Sequence, residues 1–444
     1  MIRSSTNPLA MSVRPEVELL LCCARPGADP ARAERIRVLI QEGVDWDRLL
    51  RLARQHSVMP LLYQRLSAAC PESVPQGLLD RLRGRFQANA RRNVFLTKEL
   101  LRLLSLLEAH GIPAIPLKGP TLAVSAYGDL ALRQFSDLDI LVPRQDVASA
   151  GDLLIAQGYH PRDHQTDAQK IAALQVRFHR QFVRSDEALV ELHWGLIDWQ
   201  FSFSFDLDRV WERFETISLL GTEVRSLSPE DLLLFLCVHA AKPGHRWRRL
   251  GWICDVAGLL HAHPGLDWGR VMAEAQRLGS ERRLLLGLRL AGDLLGTLLP
   301  EPVRGRMQSD PVVQMLAAQV CGRLGGSTDN RHTLEGPRFD LQVMERRRDR
   351  ARFLLRSALT STAIKWALRS PVGLLIRPYR LLERVPSRNV WLWPLPLFAL
   401  LSYVYHLLLP VRLAARAVRS AWFRMLSHAA CTSASSSGRS GTSP

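Results

Sequence analysis

From Ser136 to Val142 the chain reads SDLDILV, and this alternation limits the fold more than any other stretch. Polar residues alternating with apolar ones, here Asp137, Leu138, Asp139 and Ile140, indicate a β-strand. Successive side chains of a strand point to opposite faces, so Asp137 and Asp139 project together, while Leu138, Ile140 and Val142 face the other way. A sheet built on this strand has one face for a hydrophobic core and one that apolar packing cannot close. Two carboxylates side by side repel each other, and a fold tolerates them where a cation lies between.

The neighbouring sequence keeps that sheet small. From about Pro15 to His110 apolar residues recur at helical spacing, as in DWDRLLRLARQHSVMPLLYQRL, with Gly and Pro only between segments. At Gly111 the character changes. IPAIPL is short and bounded by turn residues, DVASAGDLLIAQGY reads as a helix, and HRQFVRS and ALVELHW around SDE read as a hairpin. After Phe205 helices return. SLSPEDLLLFLCVHAA carries a start signal, with Ser228 as N-cap, Pro229 at the first helical position and Asp231 three residues after the cap.

The expected organisation is a flexible 1–14, a helical region 15–110, a mixed α/β core 111–205, helices over 206–323, a linker 324–340, a basic and apolar helical region 341–428, and a Ser/Gly-rich disordered tail 429–444. The fold class is therefore α+β, a small mixed sheet inserted between an N-terminal and a C-terminal helical region.

Oxygen ligands on a rigid strand, with substrate phosphates to complete an octahedron, suit Mg2+ better than zinc. Asp-x-Asp alone is also what a solvated strand edge produces. Upstream, PLKGPTL places Lys118 and a turn at Gly119 where backbone and the Thr121 hydroxyl can meet phosphate. Downstream, ALVELHWGL puts Glu191 on a second strand among apolar neighbours, where an unpartnered acid is costly. His193 shares its face, either as a structural histidine or as part of the site.

In this order the motifs resemble the nucleotidyltransferase superfamily of DNA polymerase beta type: a glycine turn, Asp-x-Asp, and a third acid on a later strand. The run from about 45 to 260 is similar to one bacterial group within it, the uncharacterised nucleotidyltransferase family, through LKG, Tyr127, Arg133, SDLDILV, VELHWGL and SPEDLLLFLCVHAAKPGHRWRRLGWICDVAGLL. The resemblance implies that Asp137, Asp139 and Glu191 hold two Mg2+ ions, with Mn2+ as an alternative, and that Gly119 shapes a phosphate turn. Pro120 departs from the pattern, because proline has no N–H to offer a phosphate; Lys118 and Thr121 are the compensating candidates. Arg133 is expected either to meet phosphate or to pair with Asp137.

Beyond the core, His239, Lys242, His245, Arg246, Trp247, Arg248, Arg249 and Asp255 flank a Pro-Gly break. Lys242 and His245 are expected at the cleft. In the plain alternative Trp247 and Trp252 are core, Arg248 and Arg249 are a solvated face, and Asp255 pairs with one of them. The resemblance further implies an NTP donor and an unidentified acceptor. Relatives occur beside peptide natural-product and surface-polysaccharide genes, which favours a small molecule, peptide or glycan precursor. An RNA-modifying, toxin-like enzyme and a non-catalytic nucleotide-binding scaffold are the alternatives.

The balance of 59 Lys+Arg against 42 Asp+Glu gives a net charge of +17, which favours an anionic partner and keeps nucleic acid in view. Only Lys98, Lys118, Lys170, Lys242 and Lys365 are lysines, and an arginine-dominated excess is also what a G+C-rich genome encodes. The seven scattered cysteines point to neither disulfides nor zinc, and no secretory signal is read at the N-terminus; a cytoplasmic location is expected. Val390 to Val411 is apolar and free of Asp, Glu, Lys and Arg, but Pro394 and Pro396 interrupt it. Arg412, Arg416 and Arg419 follow at helical spacing, so the stretch is a core element, a span, or, over 390–424, a peripheral membrane contact.

Overall fold

The computed structural model describes residues 14–27, 29–162, 178–184, 188–197, 205–325 and 335–354. By internal contacts the chain divides into residues 1–353 and 354–444. The expectations for 1–13, for 355–428 including the 390–424 segment, and for the 429–444 tail lie outside the described residues. Among the described residues no helix is long and apolar enough to cross a membrane.

Five helices come first: α1 (Pro15–Ala24), α2 (Pro30–Gln41), α3 (Trp46–Gln55), α4 (Met59–Ala69) and the long α5 (Gln76–Ala109). The core follows, with β1 (Ile115–Pro116), α6 (Pro120–Tyr127), β2 (Asp137–Leu141), α7 (Val147–Ala156), β3 (His160–Pro161), β4 (His179–Arg184) and β5 (Ala188–His193). A short α8 (Leu207–Glu212) and the hairpin β6 (Glu215–Leu219) and β7 (Thr222–Ser226) lead to α9 (Pro229–Ala241), α10 (Leu250–Ala262), α11 (Trp268–Leu278), α12 (Glu281–Leu295), α13 (Glu301–Ser309), α14 (Pro311–Gly325) and α15 (Glu335–Gln342).

The local signals explain these boundaries. Asp45 caps α3 by accepting the Arg48 N–H at 2.9 Å, and Ser228 caps α9 by accepting the Asp231 N–H at 3.3 Å, each satisfying an amide that helix geometry leaves unpaired. Gly128, in the left-handed region at φ 70°, ends α6. Two expectations need correction. The strand expected in IPAIPL shrinks to Ile115–Pro116, because prolines at 113 and 116 leave little backbone to pair. The linker expected over 324–340 is entered by α14 up to Gly325 and by α15 from Glu335, where Phe339 and Asp340 are buried.

The sheet has the order β1-β2-β5-β4-β3, with β2 and β5 parallel and the other pairs antiparallel. Its apolar face carries Leu138, Ile140, Val142, Phe182, Val190 and Leu192. These residues form one core with Leu96, Leu100, Leu103 and Leu107 of α5 and with Val147, Ala150 and Leu154 of α7. Each fully buried Leu, Ile, Val or Phe among them contributes roughly 1.5–3 kcal/mol. That packing fixes which face of β2 is turned away from the core. α10 crosses α6 closely at Gly258, where a Cβ would stand 2.8 Å from the Ala126 carbonyl oxygen. This contact brings the chain around Asp255 against the end of α6.

Candidate active site

Parallel pairing of β2 with β5 sets Asp139 beside Glu191, Asp137 beside Leu189, and Leu141 beside His193. Antiparallel pairing of β4 with β5 sets Gln181 beside Glu191 and His179 beside His193. Registered neighbours share a face, so Asp137, Asp139, Glu191, His193, His179 and Gln181 form a polar patch on the side opposite the apolar core.

The contacts within the patch are specific. His193 Nε2 stands 3.1 Å from Asp139 Oδ1 and 3.4 Å from Glu191 Oε2. Lys118 Nζ stands 3.2 Å from Asp139 Oδ2. Gln181 Nε2 donates to Glu191 Oε1 at 2.6 Å, and the His179 ring stacks on His193 at 5.1 Å. Asp139 is buried at 3% exposure, so its charge depends on these partners. Burial pushes its carboxyl up, but Lys118 and His193 outweigh burial and hold it far below the usual carboxylate range. Burial also raises Glu191, and its hydrogen bond with His193 brings it down to about 2. The same contacts lift His193 to about 9 against its own burial. Asp137 moves the other way, raised by burial and by the charge of Asp139.

This donor set fits a divalent cation. Ligand atoms of Asp139, Glu191 and His193 all lie within 4.8 Å of one another, and Asp137 is the next outward-facing residue on the same strand. His193 and Lys118 supply positive charge at the carboxylates that a metal ion would engage. His193, weighed from sequence either as a structural histidine or as part of the site, thus lies in the site as a cation between the two carboxylates.

The glycine turn is built as its sequence requires. Gly119 has φ 62° and ψ −121°, a conformation open to glycine and strained for residues with a Cβ. Pro120 is the first residue of α6, where its missing N–H costs no helical hydrogen bond. Thr121 departs from expectation: its hydroxyl is buried and donates to the Lys118 carbonyl at 2.9 Å, so it holds the turn instead of standing free for phosphate.

Arg133 requires a clearer correction. Its Nε and Nη2 donate to Asp255 Oδ1 and Oδ2 at 2.8 and 3.0 Å, and Tyr127 Oη donates to Asp255 Oδ1 at 2.8 Å. Arg133 therefore does not pair with Asp137, Asp255 does not pair with Arg248 or Arg249, and both guanidinium nitrogens of the fork are already used. The reason is geometric: α10 packs on α6 and carries Asp255 to the Arg133 loop, a partner 122 residues away that outcompetes the neighbour four residues along.

The wall beside Lys118 comes from α9 and the turn after it. Lys118 Nζ lies 5.8 Å from the Phe235 ring centroid. His239 follows at 5.7 Å from Phe235, His245 at 4.6 Å from His239, and Trp252 at 4.5 Å from His245, the last pair nearly parallel at 18°. Burial, with Lys118 and Lys242 nearby, lowers the pKa of His239 and brings His245 down to about 3. Lys242 and His245 thus both lie on the Lys118 side. Trp247 is core, as the plain alternative had it, while Trp252 is only half-buried. Sequence reasoning missed Gln181. The alternation of HRQFV opposite ALVEL placed it on the Glu191 face once the hairpin was assumed.

The sequence model of a family described as uncharacterised nucleotidyltransferase matches residues 42–296, a span from α3 through α12 that holds every residue of the patch. No curated protein matches the chain. Among solved structures, the antibiotic-resistance factor ANT(2'')-Ia in solution is similar at 12% identity and a TM-score of 0.29, over 42% of this chain and 91% of that one. Lincomycin-bound LnuA, a lincosamide antibiotic adenylyltransferase, is similar at 16% identity and a TM-score of 0.25, over 36% and 94%. An antigenic nucleotidyltransferase-like protein from Paracoccidioides brasiliensis is similar at 15% identity and a TM-score of 0.29, over 48% and 97%.

Proposed function

Because the chain belongs to the family of uncharacterised nucleotidyltransferases, we propose that its polar sheet face moves a nucleotidyl group from a nucleoside triphosphate to an acceptor, with Mg2+ or Mn2+ held by Asp137, Asp139 and Glu191. The observation that carries this reading is the parallel register of Asp139 with Glu191, beside Lys118 and the positive-φ turn at Gly119. Three acids on one open sheet face, next to a cation and a glycine turn, are the parts that phosphoryl transfer needs.

In the balanced reaction an acceptor oxygen or nitrogen forms a bond to the α-phosphorus. The bond from that phosphorus to the β-phosphate bridging oxygen breaks, pyrophosphate leaves, and one proton passes to solvent. A bound divalent ion supplies charge neutralisation at the phosphoryl oxygens. With the carboxylates engaged by a metal ion, Lys118 would be free to meet the phosphates from the turn, with Lys242 on the same side. Gln181 fixes one oxygen of Glu191 and leaves the other toward His193. His193 orients Asp139 and Glu191 together.

A small molecule, peptide or glycan precursor is the acceptor class we favour. The test is incubation of the full chain with each α-labelled NTP and Mg2+ in the presence of cell extract, beside Asp137→Ala/Asp139→Ala protein. Transfer of label with pyrophosphate release, lost in the double variant, is the expected result. Nucleotide binding without turnover across metals and extracts would instead indicate a non-catalytic nucleotide-binding protein.

A further inference from the structure

A cleft lies at the far end of α6 from the glycine turn, and the site so far described does not use it. Tyr127, Arg133, Gln134, Arg249, Trp252 and Asp255 line it, a shallow cleft open to solvent. From the geometry we infer that this cleft takes the nucleobase of the donor nucleotide, stacked on Trp252 beneath Arg249; the inference rests on the nucleotidyl-transfer reading above.

Three observations converge on a planar ring. First, Trp252 is half-buried and backed by the parallel His245 ring at 4.5 Å. His245 is held uncharged, so the pair forms a neutral aromatic platform of the kind on which bases stack. Second, the Arg249 guanidinium lies 5.6 Å above the Trp252 ring. It is exposed and has no carboxylate partner among the described residues. A flat ring between them needs about 7 Å, two contact layers of about 3.5 Å each, so Arg249 has to lift by little more than 1 Å. Third, the cleft is at the right distance. α6 runs from Pro120 at the turn to Tyr127 at the cleft, about 10 Å at 1.5 Å per residue, which is the span of a nucleoside from its phosphate to its base. The aromatic row Phe235, His239, His245 and Trp252 joins the same two ends.

The rim adds groups suited to a base edge. Gln134 offers both a donor and an acceptor. Ser57, also at the cleft, has φ 59° because it ends α3 in a left-handed cap, with the Ser57 and Val58 N–H groups donating to the Arg54 and Ala53 carbonyls. Arg133 and Asp255, satisfied by each other, close the floor without leaving an unpaired charge.

The experiment measures binding of two probes, a non-hydrolysable ATP analogue and inorganic triphosphate, each with Mg2+, to the full chain and to Trp252→Ala, Trp252→Phe, Arg249→Ala and Asp139→Asn proteins. The expected pattern is a loss of tenfold or more in ATP-analogue affinity for Trp252→Ala, about threefold for Arg249→Ala and little for Trp252→Phe, with triphosphate affinity unchanged in all three. Photolabelling with 8-azido-ATP, which needs no variant, is expected to mark the tryptic peptide that begins at Leu250. Equal loss of both probes, unchanged ATP-analogue binding in Trp252→Ala, or label on other peptides overturns the inference while leaving the nucleotidyl-transfer reading standing. If neither probe binds the unaltered protein, and Asp139→Asn behaves identically, the transfer reading itself falls.

Discussion

Asp255 is the residue through which the helical layer grips the loop in front of β2, and replacing it measures that grip. Its carboxylate is 3% exposed and accepts three hydrogen bonds, two from Arg133 and one from Tyr127. In Asp255→Asn the shape survives, but the charge is lost and one acceptor oxygen becomes an amide donor facing the guanidinium. Arg133 is then a buried cation without a partner, a situation that costs about 3–5 kcal/mol. Tyr127→Phe removes one hydrogen bond only and costs about 1 kcal/mol. Native-state proteolysis reads this difference, because cleavage tracks the population of the opened form. A penalty of that size raises the cleavage rate roughly 150- to 5,000-fold for Asp255→Asn and about fivefold for Tyr127→Phe. In the paired variant Arg133→Met/Asp255→Leu, where no charge remains to be stranded, much of the loss returns. Asp255→Asn protein cleaved within threefold of the wild-type rate would refute the reasoning, as would a paired variant no better than Asp255→Leu alone.

Four further outcomes follow from the structure. Asp139→Asn lowers nucleotidyl transfer at least 10³-fold, about 4 kcal/mol of transition-state stabilisation, and chelation of divalent metal has the same effect; labelled-NTP turnover checks both. Lys118→Met removes the cation seated on Asp139, so Mg2+ binds at least as tightly while inorganic triphosphate binds more weakly, a crossed pattern that calorimetry resolves. For Glu99, burial pushes the carboxyl up, but Arg102, Tyr159 and Arg184 hold it at about 2, below its unfolded value of about 4.3. Its contribution is therefore complete above about pH 5 and is lost as the pH falls toward 2. Discounted for the partly exposed Arg102, it amounts to about 2 kcal/mol, and wild type should lose more stability than Glu99→Gln across that window in acid titrations. Gly258→Ala drives a methyl against the Ala126 carbonyl and costs about 1–3 kcal/mol, read as a lowered melting temperature.

The parts of the site that could be read from sequence are those written in short-range patterns. SDLDILV gave the face of β2, the HRQFV and ALVEL alternations gave the hairpin, and Ser228 with Pro229 gave the start of α9. Each is settled by residues within a few positions of one another, where periodicity and capping act. Arg133 shows what stays hidden. Its local neighbours include Asp137, yet its partner is Asp255, delivered by the close crossing of α6 and α10 that Gly258 permits. Lys118 could be placed at the turn but not on Asp139, since that contact depends on how the turn folds back over the sheet. Trp252 looks like core when counted among apolar residues. Its place at the cleft beside Tyr127, between His245 and the exposed Arg249, leaves it only half-buried.

Two asparagines of α5 extend the functional unit beyond the sheet. Asn89 donates to the Ala131 and Arg133 carbonyls at 2.8 and 3.2 Å, and the fully buried Asn93 to the Leu130 and Arg133 carbonyls at 2.5 and 2.7 Å. The segment that launches Asp137 and Asp139 is thus bolted to a helix that begins at Gln76. A fragment starting at Gly111 would keep every acid of the site and lose the bracket that aims them, so the helix before the sheet belongs to the same working unit as the acids.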